Sequence, residues 1–233
     1  MHTQDSGQES YRWEFSVGQG SAPSPEILQG VLAVFRDGFA REGWSEAGIA
    51  ETIARSEVVG LLRNGENGID GYAFYVSPEA RLLGRELLWE DAICLKKKVH
   101  GRGLSGAAIR GALGIVGEDV GWIGGRTQNP IVMKRYGRFG LAYPLDNTYG
   151  EADGPAIADY VATNIEEVRE VTFDPEHGIC KNAYRGMTLG DHAWNPDGEL
   201  ESRLIAQGFD HGRGDALCVV VKLAVDTSRD NRR

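Results

Sequence analysis

No apolar run in this chain approaches the ~20 residues that a membrane-crossing helix needs, which excludes a helical membrane protein. Cysteine is scarce. Cys94, Cys180 and Cys218 stand far apart and are odd in number, which argues against a disulfide-stapled secreted fold. Positive charge is in deficit: 25 Lys and Arg against 34 Asp and Glu give a formal net charge of −9, so general attraction to nucleic acid is excluded. The opening MHTQDSGQES has neither the basic nor the apolar part of a secretion signal, which makes the cytoplasm the expected compartment. Internal repeats and low-complexity tracts are absent as well. What remains is a chain of 233 residues, 41% hydrophobic and 25% charged, the profile of a soluble globular protein with one large domain, or one domain and an appendage. Its acidity favours a cationic or amine-bearing partner.

The pattern along the chain is mixed. YRWEFSVG (11–18) alternates as a half-buried strand does. Ser24 and Pro25 open a helix whose Leu28, Val31, Leu32 and Phe35 recur at i, i+3, i+4 and i+7. SEAGIAETIARS (45–56) predicts a second helix. EVVGLLRNG and IDGYAFYVS predict two strands joined by the turn RNGENG. A longer strand is expected over 86–95, a helix over 104–117, a strand at VGWIGGRT (120–127) and a short helix from Pro130. The strands near 90 and 122 flank one helix, so they are expected to be parallel neighbours. Beyond 141 the pattern weakens to a helix at 155–171, a loop-like stretch, and a buried strand at 216–225. The ends, 1–10 and 227–233, are polar and expected to be flexible.

The informative stretch is KKKVHGRGLSGAAIRGAL (96–113). It places Gly101 and Gly103 between a strand and a helix, behind Lys96, Lys97 and Lys98. A helix N-terminus leaves amide N–H groups unspent and carries about half a positive charge, and glycine lets that backbone come close to a phosphate. Three patterns compete with a plain glycine turn under solvated lysines. A Walker loop fails for want of a lysine and a hydroxyl after its second glycine. The dinucleotide fingerprint G-x-G-x-x-G is met by Gly101, Gly103 and Gly106, but it follows four strands instead of opening the fold, and Asp119 precedes the next strand. The third is [QR]-x-x-G-x-[GA], met by Lys98, Gly101 and Gly103 with lysine at the first position. A second segment, NPIVMKRYGRFGL, follows after one helix and one strand. Its Asn129, Val132, Tyr136, Gly140 and Leu141 keep the spacing N-x-x-A-x-x-x-Y-x-x-x-G-F.

On these two motifs, residues 11–145 resemble the GCN5-related N-acetyltransferases (GNAT). The resemblance implies a mixed α/β (α+β) fold. Its sheet would be mostly antiparallel, with a central, splayed parallel pair flanked by helices. Residues 146–226 would form an elaborated C-terminal half with a closing strand near 216–225. It implies acetyl-CoA as the acyl donor and no metal. The pantetheine arm would lie along Ile93, Cys94 and Leu95, and the pyrophosphate would be wrapped by Val99, His100, Gly101, Arg102, Gly103 and Leu104. Lys98 and the hydroxyl of Ser105 would assist, and Asn129 would either bond the pantetheine or cap its helix. Tyr136 would be the general acid toward the CoA thiolate, and Glu90, in preference to its neighbour Asp91, the base acting through water. The acceptor would be a primary amine, on a small cationic molecule or at a protein lysine or N-terminus, attacking directly. No nucleic acid or membrane is implied, and the oligomeric state, a homodimer included, stays open. A non-catalytic sensor of the same fold and an NAD-type binder are the rivals. His177, Cys180 and His192 are of zinc-binding type but lack a convincing fourth ligand, and Cys94 reads as a buried thiol.

Overall fold

The computed structural model describes residues 10–18, 22–39, 44–145, 153–188 and 194–224. The expected flexible ends therefore lie outside the described residues, apart from Ser10. The chain divides into two compact units: residues 1–76 with 92–116, and residues 77–91 with 117–233.

The first unit holds strands β1 (Arg12–Val17), β2 (Val58–Arg63) and β3 (Ile69–Val76), paired antiparallel in that order. It also holds the last residues of β4 (Glu86–Leu95), which neighbours β3. Its helices are α1 (Pro25–Phe39), α2 (Glu46–Arg55) and α3 (Leu104–Val116). The β2–β3 turn is tight because Asn64 Oδ1 accepts from the amides of Glu66 and Gly68 while Asn67 takes a φ of 65°. Asn tolerates that left-handed conformation better than most residues. The stripe expected on α1 packs as read: Val31 and Leu32 are buried, and Leu28 and Phe35 lean on the same cluster with Ile49, Tyr72 and Phe74. α3 packs on β1 and β2.

The second unit holds the start of β4 with β5 (Val120–Thr127), β6 (Gly140–Tyr143), β7 (Thr172–Asp174), β8 (Ile179–Lys181) and β9 (Ala216–Leu223). β4 and β5 are parallel, as expected, and every other registered pair is antiparallel. The parallel register runs from Glu86↔Val120 to Glu90↔Gly125 and stops there, although both strands continue. β9 lies beside β5 on its other edge and also pairs with β6 and β8. The helices are α4 (Pro130–Tyr136), α5 (Asp153–Asn164), α6 (Glu166–Arg169) and α7 (Glu199–Ala206). The single helix expected over 155–171 is thus broken at Ile165, which is buried and takes an extended conformation as the cap of α6. The stretch expected to be loop contains β7, β8 and the start of α7.

Candidate active site

In the first unit, β4 runs into a single 3-10 turn, Lys97–Val99, and then the glycine turn that opens α3. Gly101 and Gly103 have φ values of 76° and 72°. A Cβ added at either would meet nothing within 4 Å. The glycines therefore answer to backbone conformation, and the space in front of them is open. The amides of Val99 and His100 are spent on the carbonyls of Lys96 and Lys97. Those of the next six residues, Gly101 to Gly106, make no hydrogen bond to another described residue. The donor row thus begins at Gly101, not at Val99 as the sequence suggested. Val99 serves as a fully buried peg, and His100 Nε2 lies 2.9 Å from the Leu95 carbonyl.

The lysines act differently from the expectation too. Lys96 and Lys98 place their ammonium groups 2.8 and 2.7 Å from the two oxygens of Asp70, a fully buried carboxylate at the start of β3. Burial works against the charge on Asp70, but hydrogen bonds from Lys96, Lys98 and Asn64 outweigh it and hold its carboxyl below the usual range. Lys98, expected at the phosphate, thereby ties the turn to β3. From the other side, Asp37 of α1 accepts the amide of Lys97 at 2.7 Å. The turn is clamped between two carboxylates, so its free amides are held in place before any ligand arrives. The Arg102 guanidinium lies 5.1 Å over the Tyr11 ring, and the Ser105 hydroxyl has no partner among the described residues. Gly106 gives the dinucleotide reading no support: its third glycine exists for close helix–strand packing, and here a Cβ would meet only the tip of Arg110, at 3.6 Å.

Cys94 faces α1, with its thiol 3.6 Å from the Val34 carbonyl. Burial, the largest influence, pushes this thiol up to about 12. Cys180 is likewise raised to about 12, chiefly by burial. Native protein at pH 8 is therefore expected to resist iodoacetamide at Cys94, Cys180 and Cys218 alike, all of them buried, and to label fully in denaturant. Peptide mass spectrometry reads the difference; rapid native labelling at Cys94 would contradict its placement.

In the second unit, Asn129 caps α4: its Oδ1 accepts the Ile131 amide at 2.9 Å, and Pro130 follows at the first helical position. Tyr136, at the other end of α4, is fully buried, with its hydroxyl 3.2 Å from the Gly124 carbonyl. A Cβ on Gly125 would stand 2.2 Å from that hydroxyl, so Gly125 makes room for the phenol, while one on Gly124 would meet the Val219 carbonyl and the Trp89 ring instead. Glycine inside a strand is the sequence signal of such a close approach, and the motif comparison did not use it. Glu90 is buried beside Gly125 and accepts from Arg135 Nη2 at 2.6 Å, while Arg135 also lies 4.8 Å over the Tyr136 ring. Glu90, expected as the base, has one oxygen committed to a guanidinium and the other buried without a hydrogen-bond partner. That placement argues against its taking a proton from an incoming amine. Arg135 went unread because the residue before the motif tyrosine looks like a solvated charge.

Of the late histidine and cysteine residues, His177 lies 3.3 Å from Asp174, Cys180 is on β8, and His192 lies outside the described residues. Among the described residues no three His, Cys, Asp or Glu side chains converge on a common point.

No protein-family model matches this chain, and no curated protein matches its sequence. Solved structures do share its fold. A protein assigned as a phosphinothricin N-acetyltransferase aligns at TM-score 0.51 and 10% identity, over 92% of this chain and 100% of its own. The ribosomal-protein-S18-alanine N-acetyltransferase of Escherichia coli aligns at TM-score 0.50 and 12% identity, over 94% and 98%. The chain has the fold of the GCN5-related N-acetyltransferases.

Proposed function

We propose that this protein transfers an acyl group, acetyl in the simplest case, from the thioester of coenzyme A to a primary amine. One observation carries the reading: the row of unspent amides from Gly101 to Gly106, on a clamped turn with open space before it, at the mouth of a 13-residue helix. Such a row suits a diphosphate, because each amide gains a charged acceptor and the helix dipole adds to the attraction. The shared fold and the two motifs supply the rest. Ile93, Cys94 and Leu95 would accompany the pantetheine through their backbone, with the Leu95 carbonyl already engaged by His100.

The acceptor arrives as an ammonium ion and first loses one proton to solvent. Its nitrogen then bonds to the thioester carbonyl carbon, the carbon–sulfur bond breaks, and the second proton passes from nitrogen to the departing thiolate, directly or by way of a donor. The products are the amide, free coenzyme A and one proton in solution. A thiol of pKa ~8.5 needs only modest help to leave. Tyr136 is the donor in this reading. Its hydroxyl, 3.2 Å from the Gly124 carbonyl, would have to turn from that oxygen to the thiolate.

Tyr136→Phe tests the assignment. Acetyl-CoA-dependent release of free thiol with a panel of amines is expected to fall about tenfold or more, while acetyl-CoA affinity stays unchanged. An unchanged rate would make the phenol a core residue. No turnover with any amine, in a protein that still binds acetyl-CoA, would favour the sensor reading.

A further inference from the structure

One buried ion pair of the second unit touches the proposed proton donor. Arg135 donates from Nη2 to Glu90 Oε1 at 2.6 Å and holds its guanidinium 4.8 Å over the Tyr136 ring. Glu90 reaches the same spot from the sheet: a Cβ built on Gly125 would stand 3.3 Å from Glu90 Cβ and 2.2 Å from the phenol oxygen. Glu90 and Gly125 are also the last registered pair of the parallel strands. Carboxylate, guanidinium and phenol are therefore gathered where β4 and β5 stop pairing. By register, the neighbours of Glu90 and Gly125 on that face are Leu88, Ile123, Val219 and Val221, none of them charged. Asp91 and Arg126 belong to the opposite face, and Lys134 and Arg138 are exposed. The charge that lies over the phenol is thus that of Arg135, with Glu90 behind it. As packing alone the pair is a poor choice. Two charges are taken out of water, and Glu90 Oε2 is left without a hydrogen-bond partner, where an apolar pair of similar volume would hold the fold at least as well.

The geometry points to Arg135 as a positioning residue for the transfer step: braced by Glu90, its guanidinium fixes the Tyr136 ring and favours the phenolate left when the hydroxyl gives its proton to the coenzyme A thiolate. This rests on the reading of Tyr136 as the donor. A free phenol titrates near ~10 and a thiol near ~8.5, so that proton transfer is about thirtyfold uphill without help. A cation over the ring, in a place closed to water, acts on this difference. In the step the O–H bond of Tyr136 breaks and an S–H bond forms, and the negative charge passes from sulfur to the phenol oxygen. The phenolate then takes the second proton of the attacking nitrogen, which restores the phenol. Glu90 accepts no proton here. It offsets part of the guanidinium's charge, and its hydrogen bond keeps Nη2 from turning away from the ring.

The test measures kcat against pH for the full chain, with acetyl-CoA and the fastest amine of the panel, and a melting curve for each variant. Glu90→Gln with Arg135→Met removes both charges together and is expected to keep most of the fold. Its kcat is expected to fall about tenfold, with acetyl-CoA affinity unchanged. The alkaline limb of its profile, where the phenol loses the proton it must donate, is expected to move to higher pH, because the phenolate has lost its cation. In a Tyr136→Phe background the same double change is expected to cost nothing further, since it acts through the phenol. Arg135→Lys keeps a cation but not the planar fork. It is expected to lose part of kcat with the limb in place, and to lose none in the Tyr136→Phe background. Wild-type kcat in the folded double variant, a lower kcat with an unmoved limb, or losses of equal size with and without the phenol would each overturn the inference. The last outcome can be read from Arg135→Lys even if the double variant does not fold. A slowed Tyr136→Phe beside an unslowed double variant would remove the role of Arg135 alone. Tyr136→Phe at the full wild-type rate, or no turnover with any amine, would remove the donor reading and this inference with it.

Discussion

Arg135→Met is expected to destabilise the second unit by about 3–5 kcal/mol, the cost of stranding one charge of a buried ion pair. Glu90 and Arg135 have side chains only 5% and 7% exposed, so neither can turn to water when the other is lost. Glu90 would keep a carboxylate with no partner on either oxygen, because its Oε2 has no hydrogen-bond partner to begin with. The guanidinium over the Tyr136 ring would be lost as well, worth about 0.5–2 kcal/mol when desolvated. The double change Glu90→Gln with Arg135→Met is expected to recover most of the loss, since a neutral amide is far cheaper to bury than an unpaired carboxylate. Denaturant titration of the wild type, both single variants and the double variant closes the cycle. A single-variant cost below about 1 kcal/mol, the level of an exposed pair, would mean that water reaches this pair and that Glu90 is open to solvent after all.

The same helix shows why part of the site could not be read in advance. Ile131 is 72% exposed and Arg135 is buried, the reverse of what an amphipathic pattern predicts. Over the seven residues of α4 the period is too short to set a face, and what turns Arg135 inward is Glu90, 45 residues earlier. Asp70 is a similar case: after a turn rich in glycine and asparagine it looks like one more solvated turn residue. Only the pairing of β3 with the end of β4 brings Lys96 and Lys98 onto it. The elements that were legible carry their own periodicity, as α1 does through Val31, Leu32 and Phe35, or their own punctuation, as the β2–β3 turn does. β7 and β8 are three residues each and show no alternation; β8 is a strand because β9 offers it an edge at Leu217 and Ala216. α7 did carry a signal, Leu200 and Leu204 one turn apart and both buried, set among charged neighbours. The glycine turn was legible for a different reason. Positive φ restricts the choice of residue itself, so the backbone conformation is written in the composition.

That restriction makes Gly101 and Gly103 the positions of largest expected effect on ligand binding. With φ values of 76° and 72°, a side chain at either costs about 1–2 kcal/mol of backbone energy. No protein atom lies within 4 Å of the added Cβ, so nothing in the fold clashes. Gly101→Val with Gly103→Val therefore leaves a folded protein whose turn relaxes toward negative φ and swings its amides away from a shared focus. Hydrogen bonds to a charged acceptor contribute about 1.5–3 kcal/mol each, so losing two amounts to about 3–6 kcal/mol, or at least a hundredfold in acetyl-CoA affinity. Calorimetric titration with acetyl-CoA and with free coenzyme A reads that loss, and a melting curve shows how little the fold shares in it. Asp70→Asn is the control that acts from behind. It keeps both glycines but releases Lys96 and Lys98, and so loosens the clamp on the turn. It should weaken binding less than the double valine variant, because the amides keep their conformation and lose only their support. If the double valine variant bound acetyl-CoA as the wild type does, the amides from Gly101 to Gly106 would hold no diphosphate, and their open position would be a feature of the turn alone.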